Sequence, residues 1–371
     1  MIKLLTYIVL ISYINTQIEF TFKVLVGKYN IILQHGTNHL LHYYELDMAA
    51  PYNWLSPYSL SLESASSLPS IGMGITNFRK QKSLHYIIYK DSIVLGNTGK
   101  TYENFQFYYF QNKTNYFDSI ALAYKVKEGS LCLVHSLFFD SIIEHRRFAF
   151  IRSKFFEGSF YFGGFPSEFK QKHYNASCHI LEDRSTWGCK LPTVYLGESQ
   201  FENIWFSYFQ TNINLIKAPK QFIEFLSDNY FEDKINKGVC QKITVFTEHY
   251  ECKCREIKDF PDIRFIFGSI VFRFNKDKLF VQFDTICQLL IEQNTDGNHW
   301  IFGLPFVDEY GMEFDYEKKS ITFYDTNPFE TLKDKIQISK SFPKTIIIIN
   351  IILLVILSTI LSIKQYYVNK Y

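Results

Sequence analysis

Through most of the chain, apolar and polar positions alternate in short runs that break at Gly, Asn and Asp, the period of half-buried strands. Ile263 to Phe267, Ser269 to Phe274 and Leu279 to Phe283 are three such runs, with Asn275-Lys276-Asp277 as a turn, so this stretch reads as a β meander. Helical period is rarer. After Pro219, residues Phe222, Ile223, Leu226 and Tyr230 fall on one face, which predicts a short helix there. The pattern predicts an all-β body with a few short helices. A polar, lysine-bearing break from Pro166 to His173 marks a candidate boundary between two lobes, 18–172 and 173–335, and no tandem repeat is visible.

Two runs depart from alternation. Lys3 is followed by an apolar stretch from Leu4 to Ile14 and then small polar residues, which reads as a signal peptide over 1–17. From Thr345 to Ile363 there are nineteen residues without a charge, long enough for one transmembrane helix. This predicts a stalk over 336–344, a span over 345–363 and a tail over 364–371. The lysines at Lys364 and Lys370 favour a cytoplasmic tail. A lipid-anchor signal would end in its hydrophobic stretch, whereas here a charged tail follows. The expectation is a single-pass type I protein with a lumenal or extracellular body, at the cell surface or in a lysosome-like or vacuolar compartment.

The 371 residues are 47% hydrophobic and 20% charged with a formal net charge of +2, enough to bury one large or two medium cores. The charges are interspersed rather than gathered in a basic stripe, so no nucleic-acid surface is expected. An exported body changes how the seven cysteines read. Cys178 and Cys189 bracket one polar loop, Cys240 and Cys252 another, and Cys254 and Cys287 flank a strand-rich stretch, so three disulfides are expected with Cys132 left over. Cys252-Lys253-Cys254 has no second close pair and no histidine cluster beside it, and the ten histidines lack ligand spacing, so no metal and no cofactor is expected. Sequons at Asn112 and Asn175 fit a glycosylated surface in the same compartment. No Gly-x-Ser-x-Gly signature supports a serine nucleophile.

A family resemblance emerges from motifs in order. Tyr29 to Thr37 is similar to an opening strand and Gly-Thr-Pro turn, and Leu46-Asp47-Met48-Ala49-Ala50-Pro51-Tyr52-Asn53-Trp54-Leu55 resembles a first active-site loop, Asp-Thr-Gly-Ser-Ser-x-x-Trp-Val. Gln210-Thr211-Asn212-Ile213-Asn214-Leu215-Ile216-Lys217-Ala218-Pro219 resembles the second, Asp-Thr-Gly-Thr-Ser-Leu-Ile-x-Ala-Pro. Phe160 to Gly164, Trp300-Ile301-Phe302-Gly303, Phe314-Asp315 and Ile321-Thr322-Phe323 follow at matching intervals. Together, over about Tyr29 to Tyr324, they resemble the pepsin-like aspartic proteases (peptidase A1). The resemblance implies a bilobal, mainly β fold, places Cys254 and Cys287 at the family's second-lobe disulfide, and puts a flap at Tyr89 to Gly96.

That resemblance implies Asp47 as one catalytic acid and Gln210 in place of the other, with Tyr89 and Thr211 as substrate-binding residues. In the family two aspartates share one proton, the ionised one activating water while the protonated one bonds the scissile carbonyl, a pairing that general treatments of coupled carboxylates use as their example. An amide has no such proton and cannot serve as a base. The threonine that ties the two loops survives as Thr211 but is Met48 in the first loop. The implied function is a membrane-anchored endopeptidase homologue, impaired at Gln210, whose interlobe cleft binds extended peptides as a monomer. An active aspartic endopeptidase at acid pH, and a glycosylated surface scaffold or adhesin, are the alternatives.

Overall fold

A computed structural model describes residues 17–25, 28–35, 40–50, 53–55, 70–78, 81–110, 118–124, 132–154, 157–181, 186–244 and 248–331. The expected leader apart from Gln17, the sequon Asn112, and the stalk, span and tail over 336–371 lie outside these residues. Among the described residues no helix is long and apolar enough to cross a membrane.

The two halves of the chain meet in one thirteen-stranded sheet. Three strands from the second half (Tyr174–His179, Ser320–Asp325 and Gly311–Asp315) continue into three from the first (Arg147–Lys154, Glu157–Phe162 and Ile18–Leu25). The seam is antiparallel, with Met312 opposite Phe150 and Asp315 opposite Arg147. Every residue of Gly311–Asp315 is buried, as a strand covered on both faces must be. Phe148 and Phe314 stack across the seam with centroids 4.7 Å apart, a pairing worth about 0.5–1.5 kcal/mol beyond its buried area.

The sheet then runs through the rest of the first lobe, including Leu40–Asp47, Ser119–Ala121 and the long hairpin Ser70–Phe78 with Gln81–Leu95. The second lobe adds an eight-stranded sheet and a four-stranded one. Its core is aromatic: Phe302 lies 4.5 Å from Phe306 and 4.9 Å from Phe265, centroid to centroid. The three runs read as a meander are the strands Ile263–Phe267, Ile270–Phe274 and Phe280–Phe283, with a short helix, Lys276–Leu279, at the expected turn. The first two pair in the eight-stranded sheet, but the helix carries the chain into the four-stranded sheet, where the third pairs with Ile286–Leu289, so they do not form one meander. The helix after Pro219 is Lys220–Leu226, its buried face formed by Phe222, Ile223 and Leu226. Pro219 sits at its N-cap and accepts from the Phe222 and Ile223 amides through its carbonyl.

The polar break 166–173 contains the helix Ser167–Lys172, and the chain enters the second-half strand at Tyr174. This helix is tied to the seam. Glu313 accepts from the Phe165 amide at 2.9 Å and from Lys170 at 3.0 Å. Arg147 pairs with Asp315 at 2.6 Å.

Three disulfides join Cys178 to Cys189, Cys240 to Cys252 and Cys254 to Cys287, and Cys132 is free and buried. The second joins paired strands of the small sheet, where Cys240 lies opposite Cys252, and the third ties the turn just after His249–Lys253 to the neighbouring strand Ile286–Leu289. The three close intervals of 11, 12 and 33 residues, worth about 3 kcal/mol for each of the two shorter and about 4 kcal/mol for the longest on the chain-entropy account. Such bonds fit a secretory or extracellular body.

Candidate active site

Two loops with the same construction face each other. The strand Leu40–Asp47 runs parallel to Ser119–Ala121, with Asp47 opposite Ala121. The strand Ser199–Phe209 runs parallel to Trp300–Phe302, with Phe209 opposite Phe302. Three residues beyond Asp47, the Ala50 carbonyl accepts from the Ala123 amide at 3.2 Å; three beyond Gln210, the Ile213 carbonyl accepts from Leu304 at 2.7 Å. Counted from these carbonyls Gln210 corresponds to Asp47, although Asp47 is the last paired residue of its strand and Gln210 stands one residue past the end of its own. Gly303 makes the second loop possible, because a Cβ there would lie 2.2 Å from the Ile213 oxygen and 2.3 Å from that of Leu215.

The loops are joined directly. The Thr211 hydroxyl donates to the carbonyl of Leu46, the residue before Asp47. Thr211 is fully buried and its hydroxyl is engaged, so it acts as a tie between loops rather than as the substrate-binding group expected. Met48 has no hydroxyl with which to return the bond, and the thioether is buried instead.

Asp47 is fully buried as well. One carboxylate oxygen accepts from the Ala49 and Ala50 amides at 2.9 and 3.2 Å, and the Asp47 carbonyl accepts from Leu122 at 3.0 Å. Asn53, 1% exposed, locks the flank: its side-chain oxygen takes the Ala121 amide at 2.9 Å while its amide donates to Gln106 at 3.1 Å. Gln210 is half-buried, and its backbone amide donates to Phe302 at 3.0 Å.

Tyr89 is not at a hairpin tip. It lies in the middle of Gln81–Leu95, opposite Ser70 and Phe107, whereas that hairpin turns between Phe78 and Gln81. Its ring packs 5.7 Å from Tyr109 and 6.1 Å from Phe107 and is 9% exposed. The tyrosine-to-glycine spacing that suggested a flap is a coincidence of strand length, with Gly96 needed for the positive φ of the following turn. Of the other expected positions, Asn175 is exposed on the edge strand Tyr174–His179, accessible as a sequon must be.

Behind the Asp47 loop lies a buried polar cluster that motif reading missed. Cys132, Trp187 and Tyr316 donate to three successive carbonyls, Ala121 at 3.2 Å, Leu122 at 2.6 Å and Ala123 at 3.2 Å. Burial pushes the Tyr316 hydroxyl and the Cys132 thiol above their ordinary values, so both stay protonated donors. His135, edge-on to Tyr316 at 4.8 Å, is pushed down to about 4 by burial and then by Arg146, so it is neutral near pH 7. These partners lie 65 to 193 residues from the carbonyls for Trp187 and Tyr316, separations that no local pattern signals. Among the described residues no group of acids, histidines and cysteines could hold a metal ion.

A two-lobed, mainly β body with a duplicated loop at the junction is the pepsin-like architecture. The chain belongs to the eukaryotic aspartyl protease family, whose family model matches residues 82–325. Gln210 lies within that match and Asp47 before it. The crystal structure of an aspartic proteinase from Irpex lacteus is similar in fold, with a TM-score of 0.68 at 13% identity, covering 83% of this chain and 96% of that one. No curated protein matches the chain in sequence.

Proposed function

We propose that this chain is a membrane-anchored pepsin-like protein that binds extended peptides between its lobes and has lost efficient hydrolysis at Gln210. The observation that carries the reading is the bond from Thr211 to Leu46, which joins the residue after Gln210 to the residue before Asp47. Peptide hydrolysis by this architecture needs one carboxylate to activate water and a second acid to protonate or bond the carbonyl. Asp47 can do one of these at a time. The Gln210 amide can donate a hydrogen bond but neither takes up nor releases a proton, so the exchange between partners stops. Loss of one acid/base partner costs about 10² to 10⁴ in rate. Strand-like recognition through backbone hydrogen bonds does not depend on that exchange and would persist. The uncharged run 345–363 supports a membrane anchor, and the three disulfides support a lumenal or extracellular body.

The test is acid proteolysis of a mixed peptide library between about pH 3 and 6, the range where carboxylate dyads work, by the full-length chain beside its Gln210→Asp variant. Silence from the native chain with cleavage by the variant is the expected result. Cleavage by the native chain that Asp47→Ala abolishes would show an active endopeptidase. Silence from both, with no peptide retained on the native chain, would leave a scaffold role.

A further inference from the structure

The tie from Thr211 accounts for one contact between the loops, but a second connection runs behind them through Trp187. This residue stands just before the strand Gly188–Leu196 of the second half and is fully buried. Its indole N–H donates to the Leu122 carbonyl at 2.6 Å, while its own carbonyl accepts from the Phe209 amide at 3.0 Å. Leu122 in turn donates to the Asp47 carbonyl, and Phe209 is the residue before Gln210. One tryptophan therefore grips the backbone beside both site positions, with its side chain on one loop and its main chain on the other.

Tyr316 and Cys132 extend the grip. They donate to Ala123 and Ala121, and their heteroatoms are 4.0 Å apart, on one side of the extended segment, while Trp187 takes the intervening carbonyl. Ala123 also donates to Ala50, whose amide bonds the Asp47 carboxylate. All three donors are buried, so a carbonyl that loses its partner gains no water in exchange, which makes each loss expensive. Packing alone would require the ring volumes and not the polar atoms.

We propose that Trp187, with Tyr316 and Cys132 in support, is a positioning residue that sets the Asp47 and Gln210 loops relative to each other from the second lobe. The inference rests on reading those two residues as the paired site positions. Trp187→Phe keeps the carbonyl and most of the ring and removes only the indole donor, and Tyr316→Phe removes only a hydroxyl.

The experiment is hydrogen–deuterium exchange on the full-length chain, followed in segments 47–50 and 119–124, with the remote strands over 263–274 as reference. Trp187→Phe should accelerate both site segments about tenfold or more, the scale of one lost buried hydrogen bond, with the reference unchanged within about twofold. Tyr316→Phe should accelerate 119–124 alone. Uniform acceleration in all segments would reduce these residues to structural packing and overturn the proposal. Unchanged exchange at 119–124 in Tyr316→Phe would also overturn it, even if Trp187→Phe does not fold. If Gln210→Asp cleaves peptides, adding Trp187→Phe should lower kcat by about 10- to 100-fold with KM little changed, as misplacement does. Inactivity of Gln210→Asp would count against the proposed function, while the exchange pattern would still decide this inference.

Discussion

The side chain of Thr211 donates its hydroxyl proton to the main chain of Leu46, 165 residues earlier, and the bond is buried in the junction between the lobes. The reciprocal bond from the first loop is missing because residue 48 is methionine. The direct tie between the two site loops therefore rests on one hydroxyl, with Trp187 as the connection behind them.

Replacing that hydroxyl should be costly. Thr211→Val keeps shape and leaves the Leu46 carbonyl unpaired, so unfolding free energy should fall by about 1–3 kcal/mol. Thr211→Ser should recover most of it. Denaturant unfolding of the three chains side by side measures both values.

Gly303 should tolerate no side chain. An added Cβ would press on two backbone oxygens, at 2.2 and 2.3 Å, and neither belongs to a flexible side-chain end that could move. Gly303→Ala should destabilise by about 3 kcal/mol or more. A thermal melt within a few degrees of the native chain's would refute the close approach.

His135 should make the fold lose stability in acid. Its folded value is lowered from 6.5 to about 4, so the unfolded chain takes up this proton first. The sign follows: its contribution is constant above the unfolded value, falls as pH drops from about 6.5 towards 4, and levels off below. The ceiling on the loss is about 3 kcal/mol. His135→Gln should flatten this part of the stability profile, measured as the native-minus-variant difference between pH 7 and pH 4.

Glu313 should hold the connecting helix to the seam. Its carboxylate bonds the Phe165 amide and Lys170, and it is 5% exposed. Glu313→Ala leaves a buried amide and an ammonium unpartnered, with an expected loss of about 3 kcal/mol. Glu313→Gln keeps an acceptor for Phe165 and should lose less. Urea midpoints at constant m-value would rank the two variants.

Short apolar runs bounded by turn residues were enough to locate strands such as Ile263–Phe267, all of whose residues are buried, because a strand covered on both faces is written as a nearly continuous apolar run. The helix after Pro219 was equally legible, since its apolar face repeats within one short segment and a proline can start a helix. Cysteine spacing pointed to the three bridges, which join cysteines 11 to 33 residues apart. Tyr89 misled because a tyrosine-to-glycine interval does not say where a long hairpin turns; the register of Ser70–Phe78 on Gln81–Leu95 decides that.

By itself, the sequence determined the strand-rich body, the bridges and the presence of an amide in the motif around Gln210, since each is carried by neighbouring residues or by side-chain chemistry. Only the tertiary structure decided that Thr211 ties Leu46, that Trp187 grips both loops, and that Cys132 donates to Ala121. These are contacts between segments brought together by the sheets. A hydroxyl, an indole or a thiol acquires a partner only when distant backbone is folded against it, and nothing local in the chain encodes which carbonyl that will be.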